Sequence, residues 1–259
     1  MTTLHLIGDI HGQYDKLHDL LLAAKLINNG SSWIGGDAKL CFLGDYMDRG
    51  PDGIDCIDLI MALQEDAPNA GGEVLALLGN HDVMILAAHL LGGDFHAKWE
   101  RVGGMRQDMR RLNRVHVEWL RRRPAMVLLD EVLICHADSL LYYDYGVTIE
   151  QVNEEIEALL YSKDPDEWDW LLDQFADRFA FWDAEDDVLG VAAAKSFLDS
   201  FGGSQIVHGH TPISKMIDAP PRMINRALIY DQDRCVNVDA GMYLGAPGFV
   251  HSITLAERQ

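Results

Sequence analysis

The sequence has few basic residues: 21 Lys and Arg stand against 41 Asp and Glu, which gives a formal net charge of -20. A surface of that sign repels phosphate backbones and anionic lipids, so it weighs against nucleic acid and membrane partners. No apolar run reaches the roughly 18 residues that span a bilayer. The first residues form a strand-like segment, without the basic start and long apolar stretch of a secretory signal. We therefore expect a cytoplasmic protein.

Cysteine is also scarce, and no CxxC pair is present. Cys41, Cys56, Cys135 and Cys235 are widely spaced, and three of them lie in apolar, strand-like runs. This pattern predicts buried free thiols in a reducing compartment rather than disulfides or a structural zinc site. Neither GxxxxGK[ST] nor GxGxxG occurs, so nucleotide binding through those loops is unsupported.

The rest of the composition, 48% hydrophobic and 24% charged residues, is that of a globular protein, and we expect residues 1–259 to form a single domain. Short apolar runs that end in Gly, Asp or His predict buried strands; they are Thr3–Ile7, Lys39–Leu43, Val74–Leu78, Val132–Cys135 and Gln205–Val207. Amphipathic helical patterns separate these strands. The alternation predicts an α/β protein, α+β by some schemes, in which loops at one sheet edge gather the chemistry.

Three further segments complete the predicted organisation. The basic stretch Phe95–Arg123 is interpreted as a solvated helical face. Ile149–Tyr161 and Pro165–Ala180 predict acidic amphipathic helices, which we interpret as part of a helical insertion or cap at about 145–202. The final apolar runs, Ala227–Tyr230, Cys235–Val238 and Val250–Leu255, have the spacing of a strand meander.

Three predicted strands end in loops that begin with glycine followed by Asp or Asn. They read Gly8-Asp9-Ile10-His11-Gly12, Gly44-Asp45-Tyr46-Met47-Asp48-Arg49-Gly50 and Gly79-Asn80-His81-Asp82. His136 follows a fourth strand, and His208-Gly209-His210-Thr211 follows a fifth. One such loop arises easily by chance, but the same pattern after several predicted strands does not. Mixed nitrogen and oxygen ligands without thiolates suit manganese, iron or zinc better than calcium.

These motifs resemble those of the calcineurin-type metallophosphoesterases, in the branch of the Ser/Thr protein phosphatases and the symmetrical diadenosine tetraphosphatases. The signatures GDxHG, GDxxDRG and GNH(E/D), followed by two separate histidines, appear in order from Gly8 to His210. The resemblance implies a two-sheet β-sandwich flanked by helices, the four-layer metallophosphoesterase architecture. It also implies two divalent metal ions at the strand ends, with manganese favoured and iron or zinc as alternatives.

The resemblance also implies a role for each matching residue. Asp9 and His11 would bind the first metal, Asp45 would bridge both, and the second would be completed by Asn80, His136 and His210. His208 is a weaker candidate. His81 would protonate the leaving group, Asp48 would orient His81, and Arg49 would bind phosphoryl oxygens. His81 precedes an apolar stretch and is expected near a helix N-terminus, which disfavours imidazolium, so pairing with Asp48 would offset that effect.

This chemistry agrees with elementary electrostatics. Two metal ions roughly 3.5–4 Å apart can share a water and lower its pKa, so that hydroxide attacks phosphorus directly. Two divalent cations, two aspartates and one hydroxide leave a local charge of roughly +1, which attracts phosphate even on an acidic chain.

Three departures from the family pattern bear on the substrate. Asp82 stands where protein phosphatases usually carry Glu. Asp138 follows His136 where relatives have Gly, and would repel phosphate unless it turns away. The stretch Asp183–Asp187 occupies the region where many relatives place a second phosphate-binding arginine. Arg178, Arg101 and Arg106 are candidates to supply that contact, although surface solvation is the favoured interpretation of each. Asp239 resembles a family landmark and is expected to organise backbone rather than to bind metal.

The sequence thus predicts a phosphomonoester hydrolase, of the bacterial Ser/Thr protein phosphatase type, acting on a phosphorylated protein or a small phosphoester. Hydrolysis of symmetrical dinucleoside polyphosphates is the alternative within the enzyme class. A metal-bound pseudoenzyme that recognises phosphorylated partners is the alternative outside it, which intact Asp48, Arg49 and His81 disfavour.

Overall fold

The structure, a computed structural model, describes residues 2–182 and 189–255, with the backbone alone at 189 and 190. Its strands are β1 (Thr3–Ile7), β2 (Lys39–Phe42), β3 (Glu73–Ala76), β4 (Met126–Leu129), β5 (Val132–Cys135), β6 (Gln205–His208), β7 (Leu228–Tyr230), β8 (Cys235–Asn237) and β9 (His251–Thr254). Its helices are α1 (Tyr14–Ala23), α2 (Gly53–Asp66), α3 (Asn80–Leu90), α4 (Gly93–Arg101), α5 (Arg106–Arg111), α6 (Arg114–Arg121), α7 (Ile149–Leu159), α8 (Pro165–Phe175), α9 (Leu189–Phe201) and α10 (Ile213–Met216).

The first sheet has the order β3-β2-β1-β9. Strands β1, β2 and β3 run parallel, with Leu6 opposite Cys41 and Cys41 opposite Leu75. Strand β9 closes the sheet by pairing antiparallel with β1. The predicted meander is therefore wrong for its last strand, which lies in a different sheet from β7 and β8. A regular spacing of apolar runs could not reveal this, because strand partners are chosen by tertiary packing.

The second sheet has the order β4-β5-β6-β8-β7. Its three central strands β5, β6 and β8 are parallel, and its outer strands are antiparallel. All four residues of β5 are buried, which explains their uninterrupted apolar sequence. The two sheets and their flanking helices confirm the predicted fold class, and the carboxyl ends of the parallel strands carry the motif loops.

Three helices, α7 to α9, lie between β5 and β6, in the region where a helical insertion is predicted. Their buried faces, with Trp168, Phe175 and Phe197, belong to the same hydrophobic core as the strands. The assignment of one domain with an insertion stays a prediction.

The four cysteines are free and buried, as the sequence predicts. In the basic stretch, Arg111 of α5 pairs with Asp55 at 2.6 Å, and most other arginines are exposed. Within residues 2–182 and 189–255, no helix is long and apolar enough to cross a membrane.

Candidate metal centre and active site

The glycines of the motif loops allow the loops to touch backbone to backbone. Gly44 has a φ of 102°, and a Cβ there would lie 2.6 Å from the nitrogen of Gly79, the glycine of the third motif. A Cβ on Gly50 would lie 2.1 Å from the carbonyl oxygen of His11. Since neither contact tolerates a side chain, glycine is required where the loops meet.

Hydrogen bonds fix these loops around Asp45. The nitrogens of Ile10 and His11 both donate to the Asp45 carbonyl, at 3.1 and 2.8 Å. The His81 nitrogen donates to Asp45 Oδ1 at 2.8 Å, and the His210 nitrogen donates to Asp9 Oδ1 at 2.9 Å. Several site residues have left-handed backbone conformations with φ of 48–67°: His11, Asp45, Asp48, Arg49 and His210. Such conformations are sparsely populated outside glycine and are typical of functional sites.

Asp45 lies between two groups of potential metal ligands. On one side, its Oδ2 is 3.4 Å from His11 Nε2, which in turn is 3.8 Å from Asp9 Oδ2. On the other side, its Oδ1 is 3.5 Å from His136 Nε2. Two clusters of ligand atoms that could hold a metal ion share this carboxylate: His11, Asp45 and His81, and Asp45, His136 and His210. The arrangement suits a carboxylate that bridges two cations.

The histidines present unprotonated nitrogens toward these clusters. His11 Nδ1 lies 2.9 Å from the Met47 carbonyl and His136 Nδ1 lies 2.7 Å from the Leu43 carbonyl, and a carbonyl can only accept. Nδ1 therefore carries the proton in the neutral ring, which leaves the Nε2 lone pair free. Burial lowers the pKa of His11 and His210 well below the ordinary value, so both are neutral.

The donor set fits the divalent metals that the family uses. On the second side, Asn80 Oδ1 lies 3.2 Å from His136 Nε2 and 3.1 Å from His210 Nδ1. His210 Nε2 is buried without a hydrogen-bond partner among the described residues. Carboxylate, amide oxygen and imidazole in one buried cluster are ligands suited to manganese, iron or zinc.

Asp82 fixes the conformation of the Asp45 loop. Its Oδ2 accepts hydrogen bonds from the nitrogens of Asp45 and Gly79, both at 2.9 Å, and its Oδ1 accepts from the Tyr46 nitrogen at 3.2 Å. The sequence analysis treated Asp82 only as a departure from the family pattern. An acidic residue at the third position of α3 is a capping signal that could have indicated this role.

His81 occupies the start of α3, as expected, and contacts Asp48. His81 Nδ1 lies 2.8 Å from Asp48 Oδ2, and the other Asp48 oxygen accepts a hydrogen bond from Trp99 Nε1 at 2.7 Å. All three side chains are buried. The segment after Trp99 supports the neighbouring residue as well, because Arg49 nitrogen donates to the Gly103 carbonyl at 2.7 Å.

Arg49 extends from this loop across both histidines. One guanidinium nitrogen lies 2.9 Å from His11 Nε2 and the other lies 2.8 Å from His81 Nε2. Its guanidinium carbon lies 4.2 Å from the centre of the Tyr243 ring. Tyr243, which also packs edge-on against His11, is a site residue that the sequence analysis missed. It stands four residues after Asp239, the residue that resembles a family landmark.

Asp138 turns away from the site. Its Oδ1 accepts a hydrogen bond from Thr211 Oγ1 at 2.6 Å and its Oδ2 accepts from the Phe179 nitrogen at 2.8 Å. Because both oxygens are occupied and the residue is fully buried, it does not face an incoming phosphate. It anchors the segment that carries Arg178, whose guanidinium donates to the His210 carbonyl.

Both ring nitrogens of His208 are engaged in hydrogen bonds outside the metal clusters. Its Nδ1 lies 3.0 Å from the Gly209 carbonyl and its Nε2 lies 2.7 Å from the Tyr230 hydroxyl. Neither nitrogen remains available to a metal. The acidic stretch 183–187 lies outside the described residues.

A two-sheet α/β fold with paired clusters of Asp, Asn and His at its strand ends defines a metallophosphoesterase. Residues 2–214 match the family described as calcineurin-like phosphoesterase, and the chain belongs to that family.

Relatives within the family carry different names. The chain is 35% identical over 78 residues to Shewanella-like protein phosphatase 2 of Arabidopsis thaliana, a match covering 30% of this chain and 20% of that protein. It is 28% identical over 200 residues to a symmetrical bis(5'-nucleosyl)-tetraphosphatase of Aeromonas hydrophila, covering 75% and 64%. It thus spans less than two thirds of either relative. A cold-active protein tyrosine phosphatase structure superposes with a TM-score of 0.76 at 25% identity, covering 97% of this chain and 73% of that chain.

Proposed function

We propose that this chain hydrolyses phosphomonoesters on proteins with the help of two divalent metal ions, manganese being the favoured metal. The observation that carries the proposal is the position of Asp45, with one oxygen toward His11 and the other toward His136. The first metal would be held by Asp9, His11 and Asp45, and the second by Asp45, Asn80, His136 and His210. When bound, the two cations supply an acidified water and neutralise phosphate charge.

The chain's own residues would bind the phosphate and protonate the leaving group. Arg49 presents a planar pair of donors that matches two phosphoryl oxygens, and its stacking on Tyr243 restricts its orientation. Asp48 holds Nδ1 of His81, which leaves Nε2 to face the leaving oxygen. Nε2 accepts a hydrogen bond from Arg49 in this structure, so it would carry the proton for the leaving group once Arg49 binds phosphate instead. Asp48 is thus a positioning residue and His81 the general acid.

Arg178 is our candidate for the second arginine that contacts phosphate. Of the three candidates, Arg106 pairs with Glu100 at the surface and Arg101 is exposed. Arg178 is half-buried and donates a hydrogen bond to the carbonyl of His210, one of the proposed ligands. The next residue, Phe179, is held by Asp138 through its backbone nitrogen. Only Arg178 therefore combines a fixed position with proximity to the metal clusters.

A second candidate function is hydrolysis of symmetrical dinucleoside polyphosphates. In sequence, the Aeromonas tetraphosphatase aligns with 75% of this chain, whereas Shewanella-like protein phosphatase 2 aligns with 30%. Asp138 does not line the site, so one reason to expect repulsion of a polyanionic substrate is removed. The intact Asp48-Arg49-Gly50 tripeptide still favours the monoesterase, because tetraphosphatases often vary its aspartate. A pseudoenzyme would have no use for the pairing of His81 with Asp48.

The experiment is a comparison of kcat/KM under manganese for four substrates: phosphoserine or phosphothreonine peptides, phosphotyrosine peptides, nitrophenyl phosphate and diadenosine tetraphosphate. The proposal expects the highest values on phosphopeptides, and the two peptide classes decide between serine/threonine and tyrosine. A clear preference for the dinucleotide would establish the second candidate instead. Asp45→Asn serves as the inactive control for each substrate.

A further inference from the structure

Asp239 has one occupied and one free carboxylate oxygen. It follows β8 and is 0% exposed. Its Oδ1 accepts a hydrogen bond from the Gly241 nitrogen at 2.8 Å, which organises the backbone as the sequence predicts. Its Oδ2 has no hydrogen-bond partner among the residues that the structure describes. A buried carboxylate oxygen without a hydrogen-bond partner lowers the stability of the fold, so a ligand that bonds to this atom is expected.

The residue lies against the first motif loop. A Cβ on Gly8 would lie 2.4 Å from the Val238 carbonyl oxygen and 3.0 Å from the Cα of Asp239, so the ends of β1 and β8 are in contact. Asp239 therefore neighbours Asp9. After burial, the largest influence that raises the pKa of the Asp239 carboxyl is the charge of Asp9, and Asp45 acts in the same direction.

Arg178 does not satisfy this carboxylate. Its positive charge acts on Asp239 electrostatically, but its guanidinium donates to the His210 carbonyl, and Oδ2 receives no hydrogen bond from it. Two buried carboxylates side by side repel each other, and a cation near both would relieve that repulsion.

We propose that Asp239 belongs to the first metal position, where its free oxygen accepts hydrogen bonds from water that hydrates the cation held by Asp9, His11 and Asp45. The proposal rests on the dinuclear site of the proposed function and adds a positioning residue to it. It makes the two metal positions unequal in the number of carboxylates near the cation. The first has two carboxylates besides Asp45, namely Asp9 and Asp239, whereas the second has no carboxylate besides Asp45 and is completed by Asn80, His136 and His210. We therefore expect the first position to hold its cation more tightly.

The test is the affinity of the full chain for Mn²⁺, with and without Asp239→Asn. Asparagine keeps an oxygen to accept from the Gly241 nitrogen and changes only the unpartnered oxygen. Isothermal titration of metal-free protein should show two Mn²⁺ ions bound to the unsubstituted chain. In the variant, one of the two affinities should fall by about 10- to 100-fold, the usual effect of losing a residue that supports metal ligands.

Asp108→Asn is the matched control, because it alters a buried carboxylate outside the motif loops whose two oxygens accept hydrogen bonds from the nitrogens of Gly53 and Ile54. We expect it to leave Mn²⁺ affinity unchanged. If Asp239→Asn is too unstable to titrate, Asp239→Ser, which keeps a hydroxyl acceptor, replaces it.

Unchanged Mn²⁺ affinity on loss of Asp239, or an equal loss of affinity in Asp108→Asn, would overturn the proposal. So would a raised KM with intact metal binding, since Asp239 would then serve Arg178. Absence of Mn²⁺ binding to the unsubstituted chain would overturn the proposed function and, with it, this proposal.

Discussion

Asp48 Oδ2 lies 2.8 Å from Nδ1 of His81, and both side chains are buried. A carboxylate in that position fixes the orientation of the imidazole ring. Because Asp48 occupies Nδ1, Nε2 is the nitrogen of His81 that remains for the leaving group. The pair therefore aims a histidine at the start of α3 toward the candidate site.

His81→Ala should lower kcat/KM about 100-fold or more on a phosphoserine peptide, the range expected for loss of a general acid. On nitrophenyl phosphate the loss should be much smaller, because nitrophenolate leaves without protonation. Steady-state kinetics on both substrates measures the ratio. Equal losses would show that His81 acts on binding or metal retention and not as the acid.

Trp99→Phe should reproduce part of this loss. The substitution removes the 2.7 Å hydrogen bond that the Trp99 indole donates to Asp48 Oδ1. The carboxylate is then free to move away from His81. Trp33→Phe is the matched control, because the indole of buried Trp33 donates a hydrogen bond to the Gly36 carbonyl at 3.0 Å, in the segment between α1 and β2 that carries no motif residue. We expect comparable losses of stability in urea unfolding, on the order of 1–3 kcal/mol. Only Trp99→Phe should slow turnover of the phosphopeptide, and equal kinetics in the two variants would contradict the link.

The motif loops were predictable from sequence because each follows a strand directly. Thr3–Ile7 and Val132–Cys135 are strands with the predicted bounds. Parallel strands bring their carboxyl ends to one edge, so glycine followed by Asp or Asn in several loops already indicates a shared site.

What the sequence could not show depends on long-range hydrogen bonds. The occupation of both Asp138 oxygens by Thr211 and Phe179 leaves no local pattern, since its partners are 41 and 73 residues away. For Asp82, the local signal indicates only the cap of α3, and the contact with the Asp45 loop, 37 residues away, requires the fold. For Asp138, the side chain alone predicted a charge near the site, and only the fold shows that its oxygens accept hydrogen bonds from a backbone nitrogen and a hydroxyl.

Arg178→Met should raise KM about tenfold for a phosphopeptide while changing kcat less, because a charge-assisted contact to phosphate mainly strengthens substrate binding. Arg178→Lys keeps the charge and should recover part of the loss. Arg106→Met removes an exposed arginine that pairs with Glu100 and should leave KM unchanged. The assignment of Arg178 would be wrong if the Arg178→Met and Arg106→Met variants had the same KM.

Asp108 links stability to pH. It is buried in α5 and accepts hydrogen bonds from the nitrogens of Gly53 and Ile54, at 3.1 and 3.3 Å, where α2 begins. Burial raises the pKa of its carboxyl from 3.8 to about 6 against the effect of those bonds. A raised folded-state pKa means that the folded chain binds the proton more tightly. The free energy of unfolding should therefore fall as pH rises from about 4 to about 6.

Asp108→Asn cannot titrate and keeps one acceptor for α2. As pH rises from about 4 to about 6, its free energy of unfolding should increase relative to that of the unsubstituted chain by on the order of 1 kcal/mol. Urea unfolding at half-unit pH steps measures the difference. Asp55→Asn is the control, because the hydrogen bond from Arg111 lowers the pKa of Asp55. The stability that Asp55 contributes is complete above its unfolded pKa and is lost only in stronger acid. The difference in free energy of unfolding between Asp55→Asn and the unsubstituted chain should therefore stay nearly constant from pH 4 to 6. A constant difference for Asp108→Asn as well would show that its carboxyl is already ionised at pH 4.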